Sequence, residues 1–149
     1  MRPILVLPSL LVILTAAACG GDSTGPSDST ISVGGTWNLQ ANVSNSAVQV
    51  SCILVGQVSI SQSGAQFNGQ ASNTQGQCSG PGGTFPFTGD GPLSGGSISG
   101  NQVSYTDGIC SYTGSASGRP VNLIQGNVSC NFPVQGTNVP MSGTWQLSR

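Results

Sequence analysis

Val48-Gln49-Val50-Ser51-Cys52-Ile53-Leu54-Val55-Gly56-Gln57-Val58-Ser59-Ile60 carries the pattern that decides the fold. Its even positions are apolar or small, and Ser or Gln stands at many of the odd ones. A period of two places successive side chains on opposite faces of an extended chain, so this segment reads as a strand with one buried face. Trp37, Leu39, Ala41 and Val43 alternate in the same way before it. After it come Phe85 and Phe87, then Val103, Tyr105 and Ile109 with Asp107 in phase, then Tyr112, Gly114 and Ala116. Val128, Cys130, Phe132 and Val134 alternate again, and Trp145-Gln146-Leu147 closes the series. Beyond the N-terminal segment no helical period competes.

Turn residues punctuate these runs. Ser63-Gly64, Asp90-Gly91, Asp107-Gly108 and Gly118-Arg119-Pro120 put Gly or Pro where a tight reversal wants them, or where a strand bulges. The predicted fold is all-β, a single antiparallel up-and-down β-barrel of about eight strands, with a β-sandwich as the alternative. The barrel is preferred because the two ends of the body match: Gly35-Thr36-Trp37-Asn38-Leu39 opens it and Gly143-Thr144-Trp145-Gln146-Leu147 ends it. With an even strand count, first and last strands pair antiparallel and close the wall. The opening Gly-x-Trp resembles the start of lipocalin-like and avidin-like barrels. That resemblance implies that Trp37 plugs one end and, as in lipocalins, meets a basic residue late in the chain, for which Arg149 is the candidate. Trp37, Phe85, Phe87 and Trp145 are therefore either core or ligand-contacting aromatics. A cavity lined by Trp37, Phe85 and Phe87 would favour ligand binding, and a filled core a surface-mediated or structural role.

The first eighteen residues have a different character. Arg2 precedes an apolar run, Ile4 to Leu14, and small residues follow. Charge, apolar segment and small residues in that order make a secretory signal. Eleven apolar residues interrupted by Pro8 fall short of the roughly 20 that cross a bilayer as a helix. Ala16-Ala17-Ala18 directly before Cys19 resembles the lipobox of bacterial lipoproteins, with one departure, Ala16 where that family prefers Leu. The resemblance implies cleavage before Cys19 and lipid on its thiol, including an amide-linked acyl chain such as palmitate, and hence a membrane partner. Two or more acyl chains give stable anchoring. Gly20, where Asp would favour inner-membrane retention, implies the outer membrane. The bland alternative is an ordinary cut after Ala16-Ala17-Ala18 beside an incidental cysteine. The expected organisation is a signal at 1–18, a flexible Gly/Ser-rich tether at 19–33, and an antiparallel β domain at 34–149.

Charge is scarce. Without Arg2 the chain keeps Arg119 and Arg149 against Asp22, Asp28, Asp90 and Asp107, a net of −2, and it has no His, Lys or Glu. Two arginines cannot make the basic patch that displaces counterions from a phosphate backbone, so nucleic-acid binding is excluded. Low charge with much Gly and Ser could also mean disorder, but two tryptophans, four phenylalanines and sustained alternation argue against it.

Cys52, Cys78, Cys110 and Cys130 are even in number and exported, which favours two disulfides. Residues facing one another across a hairpin have numbers that sum to a constant. A turn near Gly118 to Pro120 gives about 240, the sum for Cys110 and Cys130. A turn at Ser63-Gly64 gives 127 while Cys52 and Cys78 give 130, so a short loop or bulge must absorb the difference. The expected bridges are Cys110–Cys130 and Cys52–Cys78. A metal site would want Cys-x-x-Cys spacing or His, and neither exists.

Nothing in the body reads as a catalytic apparatus. Asp90 and Asp107 each precede Gly in a turn context and are read as turn formers; only their convergence in one cleft would favour a carboxylate pair. Serines lack a His or Lys to activate them. Gly80-Pro81-Gly82-Gly83 lacks the Lys and Ser/Thr of a phosphate loop. No cofactor is implied. Some small lipoprotein barrels block lysozyme through a Ser-Gly-x-x-Tyr loop, but here Ser99-Gly100 and Tyr105 are wrongly spaced. The expectation is an exported, membrane-tethered, non-catalytic binding or envelope-structural module. Its partner would be a small apolar ligand or a protein, and the alternative is an inhibitor or defence module.

Overall fold

The computed structural model describes residues 30–134 and 137–149, with the side chains of 133–137 left aside. The signal, Cys19 and most of the tether lie outside the described residues. Nine strands follow one another: β1 (Gly35–Asn45), β2 (Val50–Ser63), β3 (Gln66–Gly80), β4 (Gly83–Phe87), β5 (Gly91–Ser99), β6 (Gln102–Thr106), β7 (Cys110–Ser117), β8 (Leu123–Val134) and β9 (Thr137–Ser148). Eight of them pair antiparallel in a closed ring, β1-β2-β3-β5-β6-β7-β8-β9, and β4 pairs with β3 outside it. The fold is a closed antiparallel eight-stranded barrel, and the sandwich is set aside. The two matched ends do close the wall, with Leu39 opposite Leu147 and Ala41 opposite Trp145.

The ring is strongly staggered. Following the register from Gln66 through Ser97, Ser104, Thr113, Asn127, Thr144, Asn42 and Ile53 returns to β3 at Gln77, 11 residues further along. Eight tilted strands leave an interior just wide enough for side chains to fill, or for one small ligand. Here side chains fill it. The Trp145 indole meets Tyr105 and Tyr112 edge-on at 5.1 and 5.6 Å, the two tyrosines stack at 4.4 Å, and Phe67 adds an edge contact to Tyr105. Gly114 lies directly beneath the indole: a Cβ there would come to 3.0 Å from the Trp145 ring. The indole N–H donates to the Thr113 and Asn127 carbonyls, which satisfies its one donor inside the core.

One irregularity explains why β4 leaves the ring. Asn73 and Thr74 together oppose Gly56, a β-bulge that bends β3. Asn73 has a positive φ of 53° there, and Thr74 turns inward to full burial. A Cβ on Gly56 would strike the Thr74 side chain at 2.6 Å, so glycine is required at that position. Before the bulge β3 pairs with β5, and after it with β4. The Thr74 hydroxyl donates to Asp90 and accepts from the Gly89 N–H, fixing residues 88–90 as they step from β4 to β5.

The expected reversals at Ser63-Gly64, Asp107-Gly108 and Gly118 to Pro120 connect antiparallel neighbours. Asp90-Gly91 does not reverse the chain. Both β4 and β5 run antiparallel to β3, so Asp90 sits in a step along one direction. Two in-phase apolar residues also fall outside strands: Val48 lies in the β1–β2 turn and Ile109 in the β6–β7 turn, both exposed.

Candidate functional site

The two ends of the barrel differ in construction. At one end the chain enters at residue 34 and leaves at Arg149, and this end is sealed. The Gln62 side chain accepts from the Val33 and Gly34 N–H groups and donates to the Ile31 and Gly64 carbonyls. Val33, within the stretch read as tether, is fully buried, and its carbonyl accepts the Trp37 indole N–H at 2.8 Å. The Arg149 guanidinium lies 4.1 Å from the Trp37 ring centroid, while its N–H groups donate to the Val121 and Gly34 carbonyls. A cation over an indole face is held by the ring quadrupole. Arg149 is thus the basic residue that meets Trp37. A cleft of about 630 Å³ lies beside it, lined by residues that include Arg119, Pro120 and Arg149.

The opposite end carries both disulfides. Cys52–Cys78 joins β2 to β3 and Cys110–Cys130 joins β7 to β8, each between residues directly opposite in register. The 127-to-130 discrepancy resolves into two parts. The turn is centred on Gly64-Ala65, with Ser63 facing Gln66, and the Asn73-Thr74 bulge supplies the last unit. Around this end Val48, Phe85 and Ile109 are exposed, and Ile53 and Val55 are exposed on the outer wall of β2 nearby. The aromatics named as candidate ligand contacts are not brought together. Trp37 and Trp145 are buried core, Phe87 packs over Gly76, and Phe85 is 53% exposed at the far end.

The two aspartates serve separate connections, Asp90 the step from β4 to β5 and Asp107 the β6–β7 turn. Asp90 accepts from the Thr74 N–H and hydroxyl, and those bonds, hydroxyl first, hold its carboxyl below its usual range. Asp107 accepts from the Ile109 and Cys110 N–H groups and from the Tyr112 hydroxyl. Burial first, then the Asp107 charge, holds the Tyr112 hydroxyl protonated far above the ordinary phenol range. Tyr105 is raised by burial and by both neighbours. Among the described residues no group of three or more His, Cys, Asp or Glu could hold a metal ion. Tyr105, considered for an inhibitory loop, is instead a core residue stacked on Tyr112.

The outward face of β7, β8, β9 and β1 was not singled out by sequence. In register it presents Ser111, Ser129, Ser142 and Ser44 in one row, then Thr113, Asn127, Thr144 and Asn42, then Ser115, Gln125, Gln146 and Gln40. Two shallow clefts of about 500 and 530 Å³ open on this wall. The polar residues between the apolar positions of these strands are visible in the sequence, but only the register aligns them. No protein family, curated protein or solved structure matches the chain.

Proposed function

We propose that the chain is an exported, lipid-tethered, non-catalytic binding module of the bacterial envelope that works through the outside of its barrel. The observation that carries this reading is the filled lumen. The stacked Tyr105–Tyr112 pair, Trp145 and Phe67 occupy the interior where a barrel ligand would sit. Residues 31–34 meet the barrel at the sealed Trp37–Arg149 end, so the disulfide end is the one farther from the tether. Two disulfides in a body of this size suit an oxidising, exported location.

Three measurements test this. Intact mass of the processed protein is expected to show cleavage before Cys19 with added acyl chains, and Cys19→Ala is expected to move the protein from the membrane to the soluble fraction. An unlipidated mature chain would remove the tether. Titration with an apolar fluorophore is expected to leave tryptophan emission unquenched. Stoichiometric uptake with strong tryptophan quenching would move the site into the lumen. A second reading, an inhibitor or other protein-binding module, draws on the exposed Val48, Phe85 and Ile109 at the far end. Loss of a partner enzyme's inhibition in Phe85→Ser would favour it.

A further inference from the structure

We propose that the polar outer wall of β7, β8, β9 and β1 binds a neutral, hydroxyl-rich glycan; this rests on the external-surface reading above and supplies its ligand class. The three aligned rows form a grid of hydroxyls and primary amides spaced about 4.8 Å across strands and about 6.8 Å along them, the scale of a sugar ring. The convex outside of a barrel ordinarily offers no concavity, yet two clefts lie here side by side, and Asn127 and Thr144 line both. The wall sinks where Gly126 stands: Trp145 and Gly126 line the first cleft together with the amides.

The side chains are free to bind. Gln146 Nε2 donates to Gln40 Oε1 at 3.2 Å, and among the described residues the amides of Asn42, Gln125 and Asn127 make no other bond to the protein. Each amide offers two donors and an acceptor, which matches a hydroxyl that donates once and accepts twice. The chemistry of the wall selects against other partners. No Arg or Asp lies on these rows, so neither phosphate nor carboxylate would find a counter-charge. Exposed aromatics, Met and Arg, the usual anchors of a protein interface, are missing from them as well. A neutral polyol needs neither charge nor apolar anchor.

Each hydrogen bond to a glycan replaces one to water, so a single site binds weakly, with a dissociation constant on the order of 1 mM. A polymer engages neighbouring positions and is the better probe. The full chain, purified from an exporting host with both disulfides verified, is run through native gels containing dextran, hydroxyethylcellulose or soluble starch. Retardation by at least one of them is expected, insensitive to 0.5 M NaCl because no charge takes part (roughly three times the ionic strength of physiological buffer). Gln125→Ala combined with Asn127→Ala is expected to weaken it at least fivefold, and Gln75→Ala, on the far side of the barrel, to leave it unchanged. Thermal unfolding checks that the variants are folded. No retardation by any neutral polymer, equal retardation of wild type and double variant, or retardation only by an anionic polymer such as alginate overturns the proposal. None of these outcomes touches the tether, which mass and fractionation read independently.

Discussion

At Gln62 one side-chain amide makes four hydrogen bonds, and all four join residues distant in sequence or in a turn. Removing it strands the Val33 and Gly34 N–H groups at the sealed end. Gln62→Ala is therefore expected to cost about 1–3 kcal/mol, the cost of leaving buried donors unpaired, read from urea unfolding. Thr74, on the neighbouring strand β3, also joins separate parts of the chain through one polar side chain. Thr74→Val keeps the shape but removes the hydroxyl that links Asp90 to the Gly89 N–H; because both of those groups are exposed to water, the expected fall in the urea midpoint is smaller than that of Gln62→Ala. Neither role is legible in the sequence. A Gln in phase with the buried Val58 and Ile60 at the end of β2, and a Thr in a run of small polar residues, give no sign of their partners, which are set by tertiary approach. The cysteines are the opposite case. Their pairing follows from counting across hairpins, since register in an antiparallel pair is arithmetic once the turn is placed.

At the scale of elements, the strands that alternate large apolar residues with polar ones are legible, and β3 and β5 are not. Between Phe67 and Cys78 the inward positions of β3 are Gly69, Ala71, Thr74 and Gly76, which carry almost no hydropathy signal although β3 is the longest strand. Gly69 and Gly76 are small because Leu93 and Phe87 crowd against them. β4 lies outside the ring and has a free edge, a hazard for pairing between molecules. Cys78 faces its disulfide partner at a Cα separation of 4.0 Å, as in a non-hydrogen-bonded pair, so its backbone groups turn toward Phe85. Thr84 and Pro86 then face outward, and Pro86 has no N–H to offer a second chain. Pro86→Thr is expected to restore that donor and raise the oligomeric fraction in size-exclusion chromatography with light scattering. The disulfides act on the unfolded chain instead. Closing loops of 26 and 20 residues is worth about 3 kcal/mol each on the loop-closure account, so Cys52→Ala with Cys78→Ala should lower stability by about that much.

The molecule as a whole is stabilised with very little charge, and its response to pH should show it. Asp90 and Asp107 bond to backbone N–H and hydroxyl groups, so salt has little to screen. The acid limb belongs to Asp90. Its folded pKa is depressed by the Thr74 bonds, so its contribution is present above the unfolded value, about 4, and is lost as pH falls through the folded one. The alkaline limb belongs to Tyr112 and Tyr105, whose folded pKa values are raised, by burial first and then by charged or ionising neighbours. Their contribution is complete below the unfolded value, about 10, and is lost as pH rises beyond it, because the unfolded phenols ionise while the buried ones cannot. Between those limits the sequence supplies no His, Lys or Glu, and the four barrel cysteines are bridged. The expected profile is a flat plateau of unfolding free energy from about pH 5 to about pH 9, falling on both sides. Tyr105→Phe should soften the alkaline fall and leave the acid limb in place, whereas Asp90→Asn should flatten the acid limb alone. A slope within the plateau would mean that a group outside the barrel, such as the freed amino terminus of an uncapped mature chain, is coupled to folding.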